Sequence, residues 1–223
     1  MSELLKVEGL STSLHNGARI VDDISFSIKQ GETFALLGES GCGKSMTALS
    51  LMRLLPDGIH IASGAVLLGA EDILALPERA MRAVRGGQMA MIFQEPGLSL
   101  NPVMTVGGQI AEALELHQDL RGEAMRARCV ELLEQVGIPD APRRLHEYPF
   151  QLSGGMKQRV MIAMALAGQP GLLIAAVAAP VPGWSRPARW SARLRSAGRA
   201  RRPAPARSSR AASCRRKAGT GIR

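Results

Sequence analysis

The chain has 223 residues, 46% of them apolar and 21% charged, so it can bury a core and is not wholly disordered. Its formal charge of +9 is unevenly spread: no acidic residue follows Glu147, whereas residues 176–223 hold 13 Lys or Arg. The remaining body is weakly acidic, which excludes a uniformly basic nucleic-acid-binding domain, and no specific nucleic-acid partner is expected.

Leu4 to Leu14 reads as a strand, Asn16-Gly17 as a hairpin turn, and Ile20 to Ile28 as a half-buried strand in which Ile24, Phe26 and Ile28 alternate with Ser25 and Ser27. Thr33 to Leu37 is a short apolar run suited to a strand buried on both faces. After a glycine-rich loop, Met46 to Leu55 reads as a helix that Pro56 ends, and Met89 to Phe93 as another buried strand. The spacing of Val106, Ile110, Ala113 and Leu114, then of Val130, Leu132, Leu133 and Val136, predicts helix from Thr105 to Gly137, with Gly137 as C-cap. Val160 to Ala167 reads as a helix and Leu172 to Ala175 as a last strand. Strands alternating with helices imply a parallel α/β sheet in residues 1–175, with the helical block from about 96 to 168 as an inserted subdomain.

Cys42, Cys129 and Cys214 form no close pair, which argues for a reducing compartment without a disulfide framework. The N-terminal residues lack the basic-then-apolar pattern of a signal peptide. Val160 to Ser185 carries no charge, but Gly168-Gln169-Pro170-Gly171, then Pro180, Pro182 and Gly183, keep its apolar runs well short of the ~20 residues of a membrane span.

Two segments carry chemistry. Gly38-Glu39-Ser40-Gly41-Cys42-Gly43-Lys44-Ser45 fits G-x-x-x-x-G-K-[ST], with a predicted strand before it and a helix after it. Its glycines let successive backbone N–H groups curl into a nest for phosphates, and the following helix presents its positive end to the same anion. Lys44 would reach the β- and γ-phosphates, and the Ser45 hydroxyl would coordinate Mg2+. Leu152-Ser153-Gly154-Gly155-Met156-Lys157-Gln158-Arg159 is a second candidate anion site: Ser153 is a fair N-cap, and Gly154-Gly155 leave amides open at a helix start.

With these two segments the chain resembles the nucleotide-binding subunits of ABC transporters: Gly38–Ser45 is similar to the Walker A motif and Leu152–Arg159 to the LSGGQ signature. Phe93-Gln94-Glu95-Pro96 is similar to the Q-loop. The stretches from Gln94 to Pro102 and from Gln151 to Ala163 are similar to the dipeptide, oligopeptide and nickel importer branch, and the resemblance covers residues 4–174. It implies ATP and Mg2+ as cofactors, with Ser45 and Gln94 at the metal and Gln94 also at the attacking water. It implies two subunits that sandwich ATP head to tail. Leu152, Ser153, Gly154, Gly155, Met156 and Gln158 of one would close on the nucleotide of the other. Transmembrane permease subunits would be contacted through the Q-loop and helical subdomain. The location implied is cytoplasmic, peripheral on the inner face of the plasma membrane. An aromatic residue stacks on adenine in this family; that position falls near His15, which reads equally as a solvent-facing turn histidine.

The resemblance breaks after Ile174. Where the family runs on with Ala-Asp-Glu-Pro, this chain reads Ala175-Ala176-Val177-Ala178-Ala179-Pro180, so the Asp that orders Mg2+ and the Glu that polarises water are missing. The switch histidine is missing too, since His15, His60, His117 and His146 all precede the signature. ATPase chemistry is therefore in doubt, and Gln94 is the one catalytic-loop residue retained. The family's switch-histidine strand lies between the Walker A and Walker B strands, so its loss would leave the backbone beside Thr33–Leu37 unpaired, at about 1–3 kcal/mol for each buried group. Residues 176–223, dominated by Ala, Arg, Ser, Pro and Gly, read as a disordered basic tail. A functional basic arm, an inert tail and an out-of-frame reading of GC-rich codons are the alternatives. The whole then reads as an importer subunit impaired in hydrolysis, or as a truncated product that retains at most nucleotide binding.

Overall fold

The computed structural model describes residues 2–39, 41–176 and 210–213. The chain forms β1 (Glu3–Leu14), β2 (Arg19–Lys29), β3 (Phe34–Leu37), α1 (Lys44–Met52), β4 (Ile59–Leu68), β5 (Glu71–Asp72), α2 (Glu78–Gly87) and β6 (Met89–Ile92). There follow α3 (Pro96–Ser99), α4 (Val106–His117), α5 (Gly122–Gln135), α6 (Ala141–Arg144), a 3-10 turn (Pro149–Gln151), α7 (Gly154–Ala167), β7 (Leu172–Ala175) and β8 (Arg210–Ser213).

The hairpin β1–β2 forms around Asn16-Gly17. Gly17 takes the left-handed φ of 83° that the turn requires, and the Asn16 side-chain oxygen accepts from the Ala18 N–H at 3.0 Å. β1 also pairs antiparallel with β4, giving the order β2-β1-β4-β5. The largest sheet is thus antiparallel, against the expectation of a parallel one. Short turns rather than helical crossovers lead from β1 to β2 and from β4 to β5. The parallel part comprises β6–β7 and β3–β8. β4 and α2 were not legible in the pattern. β4 is interrupted by Ser63-Gly64, where a β-carbon on Gly64 would lie 2.6 Å from Leu10 Cα, so glycine alone lets the two strands pass at the β1 irregularity.

β6 is buried along its whole length, as expected, but β3 is not: Leu37 is 58% exposed. The sequence reading left the edge beside Thr33–Leu37 open. In the structure β8 pairs with β3 in parallel from Phe34↔Arg210 to Leu37↔Ser213, which supplies backbone partners without covering both faces. The rest of the predicted tail lies outside the described residues.

α1 stops at Met52 rather than Leu55. Arg53 is left-handed (φ 51°), and the Arg85 Nε donates to Met52 O at 2.8 Å while its second guanidinium nitrogen donates to Arg53 O at 3.1 Å. Arg85 also pairs with Glu78 at 2.5 Å, and this hydrogen bond holds the Glu78 carboxyl below its ordinary pKa. One guanidinium thus ties the end of α1 to the start of α2. Arg85→Ala is expected to lower stability by about 2–3 kcal/mol, because two helix-end carbonyls and one carboxylate lose a charged donor together. Urea unfolding curves measure this, and a midpoint unchanged at constant slope would refute it.

The predicted helix 105–137 is two helices, α4 and α5, because residues 118–121 turn and Gly122 takes φ 57°. Gly137 is the left-handed C-cap expected, with the Ile138 N–H returning to Leu133 O at 3.0 Å. The described residues have two large apolar cores and a smaller cluster of Ile92, Met161 and Ile162. One lies under the antiparallel sheet and includes Leu5, Leu10, Val66, Ile73, Met81 and Met89. The other is internal to the helices and includes Val106, Ile110, Leu114, Leu132, Leu133 and Val160. No described helix is long and apolar enough to cross a membrane.

Candidate functional site

The segment from Gly38 to Ser45 joins β3 to α1. Gly41 (φ 80°) and Gly43 (φ 94°) are both left-handed, a conformation that turns the backbone inward at no side-chain cost. Gly43 caps α1 without a side-chain hydrogen bond, so the helix's first amides remain open to an anion. A β-carbon on Gly43 would lie 2.9 Å from Ile20 O and 3.4 Å from Val21 Cγ2, so only glycine lets the loop rest on β2. The Lys44 Nζ folds over this loop, donating to Gly38 O at 2.7 Å and Glu39 O at 2.6 Å, and lies 3.5 Å from Cys42 Sγ. These carbonyl contacts are those that a phosphate would replace. Glu39 and Ser45 are exposed, Cys42 is buried, and Ser40 lies outside the described residues.

The helix behind the loop is fixed from below. The buried Thr47 hydroxyl donates to Gly43 O at 3.0 Å, and Ser50 Oγ shares a buried hydrogen bond of 2.9 Å with Thr12 Oγ1 on β1. The loop therefore sits on a rigid mount, as a preformed anion site requires.

Gln94 is exposed just beyond β6. β6 and β7 pair from Met89↔Leu172 to Ile92↔Ala175, and the Ala176 N–H donates to Ile92 O at 3.0 Å. Ala176, where the family pattern has its aspartate, thus stands beside the strand end that leads into Gln94. The residues at Gly38–Ser45 fit a nucleotide triphosphate: open amides, a helix start and one ammonium converge there. Their fit to Mg2+ is incomplete. The Ser45 hydroxyl and Gln94 amide are neutral, Mg2+ sites normally add one or two carboxylates, and no group of three or more His, Cys, Asp or Glu suited to a metal occurs among the described residues.

The second anion site begins α7, capped by Ser153 as expected: its hydroxyl accepts from the Met156 N–H at 3.4 Å, and the helix that the apolar pattern marked from Val160 runs continuously from Gly154. β-carbons on Gly154 or Gly155 would meet nothing within 4 Å, so this helix start faces open space. Leu152 is buried and Met156 packs on the helical core, which anchors the segment. Gln158 is half-buried, and the Arg159 guanidinium donates to Gly137 O at 2.7 Å.

His15 lies in the β1–β2 turn, exposed, with its N–H on Gly58 O at 3.1 Å. Its ring stacks on His60 of β4, centroids 5.5 Å apart and planes 20° from parallel. His60 was missed because β4 was missed: nothing in the sequence brings the two rings together. Cys129 is buried in the helical core, which pushes its thiol pKa up and makes it inert.

Residues 21–175 match the family described as ABC transporter. A peptidoglycan transport ATP-binding protein of Agrobacterium fabrum is 54% identical over 77% of this chain, which covers 32% of that protein. A putative peptide import ATP-binding protein of Brucella abortus is 48% identical over 77% of this chain and 53% of its own length. A glutathione import ATP-binding protein of Salmonella typhimurium is 49% identical over 78% of this chain and 29% of its own. The chain thus spans about a third to a half of the length of these relatives. Among solved structures, the dimeric bacterial ABC transporter cassette MJ0796 superposes with a TM-score of 0.67 at 26% identity, covering 77% of this chain and 72% of that one.

Proposed function

The chain belongs to the ABC transporter family as an ATP-binding domain, and from that premise we propose that it is the ATP-binding subunit of an importer for peptides or nickel, binding ATP but impaired in hydrolysing it. The observation that carries the binding half is the Lys44 ammonium folded over Gly38 O and Glu39 O, above two left-handed glycines and an open helix start. ATP would replace those carbonyls with phosphate oxygens, and Gly43 would hold the loop against β2 while it does. The impaired half is supported by Ala176, just after β7, which puts an alanine rather than a carboxylate beside the end of β6 that leads to Gln94. The importer assignment is supported by the peptide import and glutathione import named in two relatives, beside the peptidoglycan transport named in a third.

Two partners follow from the same reading. A second ABC subunit would receive the open start of α7 on its nucleotide, an arrangement that the dimeric MJ0796 cassette favours. Permease subunits would dock at the helical side, where Val103 is 79% and Phe150 72% exposed and Tyr148 stacks on Phe150. The segments that carry them meet, since the Val106 N–H donates to Glu147 O at 2.8 Å. Such docking would place the subunit on the cytoplasmic face of the membrane. If Ala176 and the composition change beyond it reflect a damaged gene rather than a specialised subunit, nucleotide binding alone would remain.

Lys44→Ala is expected to abolish binding of a fluorescent ATP analogue, because Lys44 carries the cation placed over the phosphate loop. An unchanged affinity in that titration would refute the nucleotide site.

A further inference from the structure

We propose that His60 is a positioning residue for the nucleotide base: it buttresses His15, so that adenine packs on the outer face of a two-histidine stack. The inference rests on the nucleotide reading above and adds a residue that lies outside all the motifs.

The stack stands at the hairpin end of the sheet against which the phosphate loop rests. Gly43 rests on Ile20 O and Val21 Cγ2 of β2, and β2 pairs with β1 up to Ser13↔Arg19, two residues before His15. On the other edge of β1, Ser13 pairs with His60 and Leu14 with Ile59. The β1–β2 hairpin therefore has the phosphate loop against its second strand and the two imidazoles at its tip. Both residues are exposed; the backbone amide of His15 is bound to Gly58 O at 3.1 Å, and the two rings stack with planes 20° from parallel.

The ring spacing decides where a base can go. Inserting one between two rings needs roughly 7 Å, twice the stacking distance of bases. The centroids are 5.5 Å apart, so a base stacks outside the pair. His15 is the contact ring because it lies on the hairpin whose second strand meets the phosphate loop at Gly43. Alone in an exposed turn, its ring would lose rotamer freedom on binding a base; against His60 that freedom is already restricted, so less is lost on binding. An offset aromatic pair of this kind is worth a factor of about three to ten in an equilibrium.

The test is titration of the full chain with ATP and, separately, with inorganic tripolyphosphate, which has the phosphates but no base. His60→Ala is expected to weaken ATP about three- to tenfold and to leave tripolyphosphate unchanged, while His60→Phe restores ATP affinity. His15→Ala should weaken ATP at least as much, and adding His60→Ala to it should cost little more, since the second ring acts through the first. Equal loss for both ligands would mark His60 as structural and overturn the proposal, as would full additivity of the two alanine variants or no loss at all. Failure of the unaltered chain to bind either ligand would sink the nucleotide reading itself, and this proposal with it. Thermal unfolding of each variant is recorded alongside, and a loss of ATP affinity that tracks a lowered Tm counts against the proposal.

Discussion

Replacing Ala176 by aspartate and Val177 by glutamate, with the family segment carried on behind them, is expected to raise ATP turnover by about a hundred- to ten-thousandfold over the present chain. The upstream parts needed are in place: the phosphate loop on its mount of Thr47 and Ser50, Gln94 beyond β6, and the capped start of α7. The missing part is a pair of carboxylates at the end of β7. Ala176 already sits at hydrogen-bonding distance from Ile92 O, so an aspartate there would project beside the strand that delivers Gln94. It would add an anionic ligand to the neutral Ser45 hydroxyl and Gln94 amide that the family resemblance assigns to Mg2+, and the glutamate would supply the base for water. The strand brought by the family segment would take the place beside β3 that β8 now holds. In that repaired chain Ser153→Arg should stop turnover by filling the open space at the start of α7, yet leave binding to the chain's own phosphate loop intact. Steady-state phosphate release measures both effects. If the repaired chain stays at background, the body carries a defect besides the missing acids. If the unaltered chain already turns over like an intact transport ATPase, the impaired-hydrolysis reading falls.

Gly168→Ala is expected to lower Tm by about 5–10 °C, through a cost of at least about 1–3 kcal/mol. A β-carbon on Gly168 would lie 2.0 Å from Gly86 O and 2.7 Å from Gly86 C, both backbone atoms that no rotamer change can move. Gly86 cannot yield, because it is left-handed (φ 86°) and its own β-carbon position lies 2.3 Å from His117 Nε2 at the end of α4. The segment after Gly168 is also tied down, with the Gly171 N–H on Gln88 O at 2.9 Å and the Gln118 amide donating to Ala167 O. The methyl group would have to part the helical core from the sheet core at their junction. Against a typical stability of about 5–15 kcal/mol, that is a large fraction. Calorimetry of Gly168→Ala beside Gly97→Ala, whose added carbon meets nothing within 4 Å, separates this contact from the general effect of alanine for glycine. Equal melting temperatures for the two variants would refute the close approach.

The sequence by itself determined the local conformation of the loops. Gly38–Ser45 and Ser153–Gly155 are legible because a nest or a cap is made by consecutive residues, so its physics is local. The hairpin at Asn16-Gly17 and the C-cap at Gly137 were legible for the same reason. The absence of acids after Glu147 needed only counting. What joins distant segments was decided by tertiary structure alone. The pairing of β1 with β4 rests on Gly64 fitting the irregularity at Leu10, which no periodicity announces. The stop of α1 at Met52 is set by Arg85, far along the chain, rather than by Pro56. Burial of β3 was overestimated because an apolar run records what could be covered, whereas coverage depends on what packs on the two faces of the strand, and Leu37 stays 58% exposed although β8 pairs the backbone. His15 was legible as a candidate ring and His60 was not, because a stacked pair exists only once two strands have met in register.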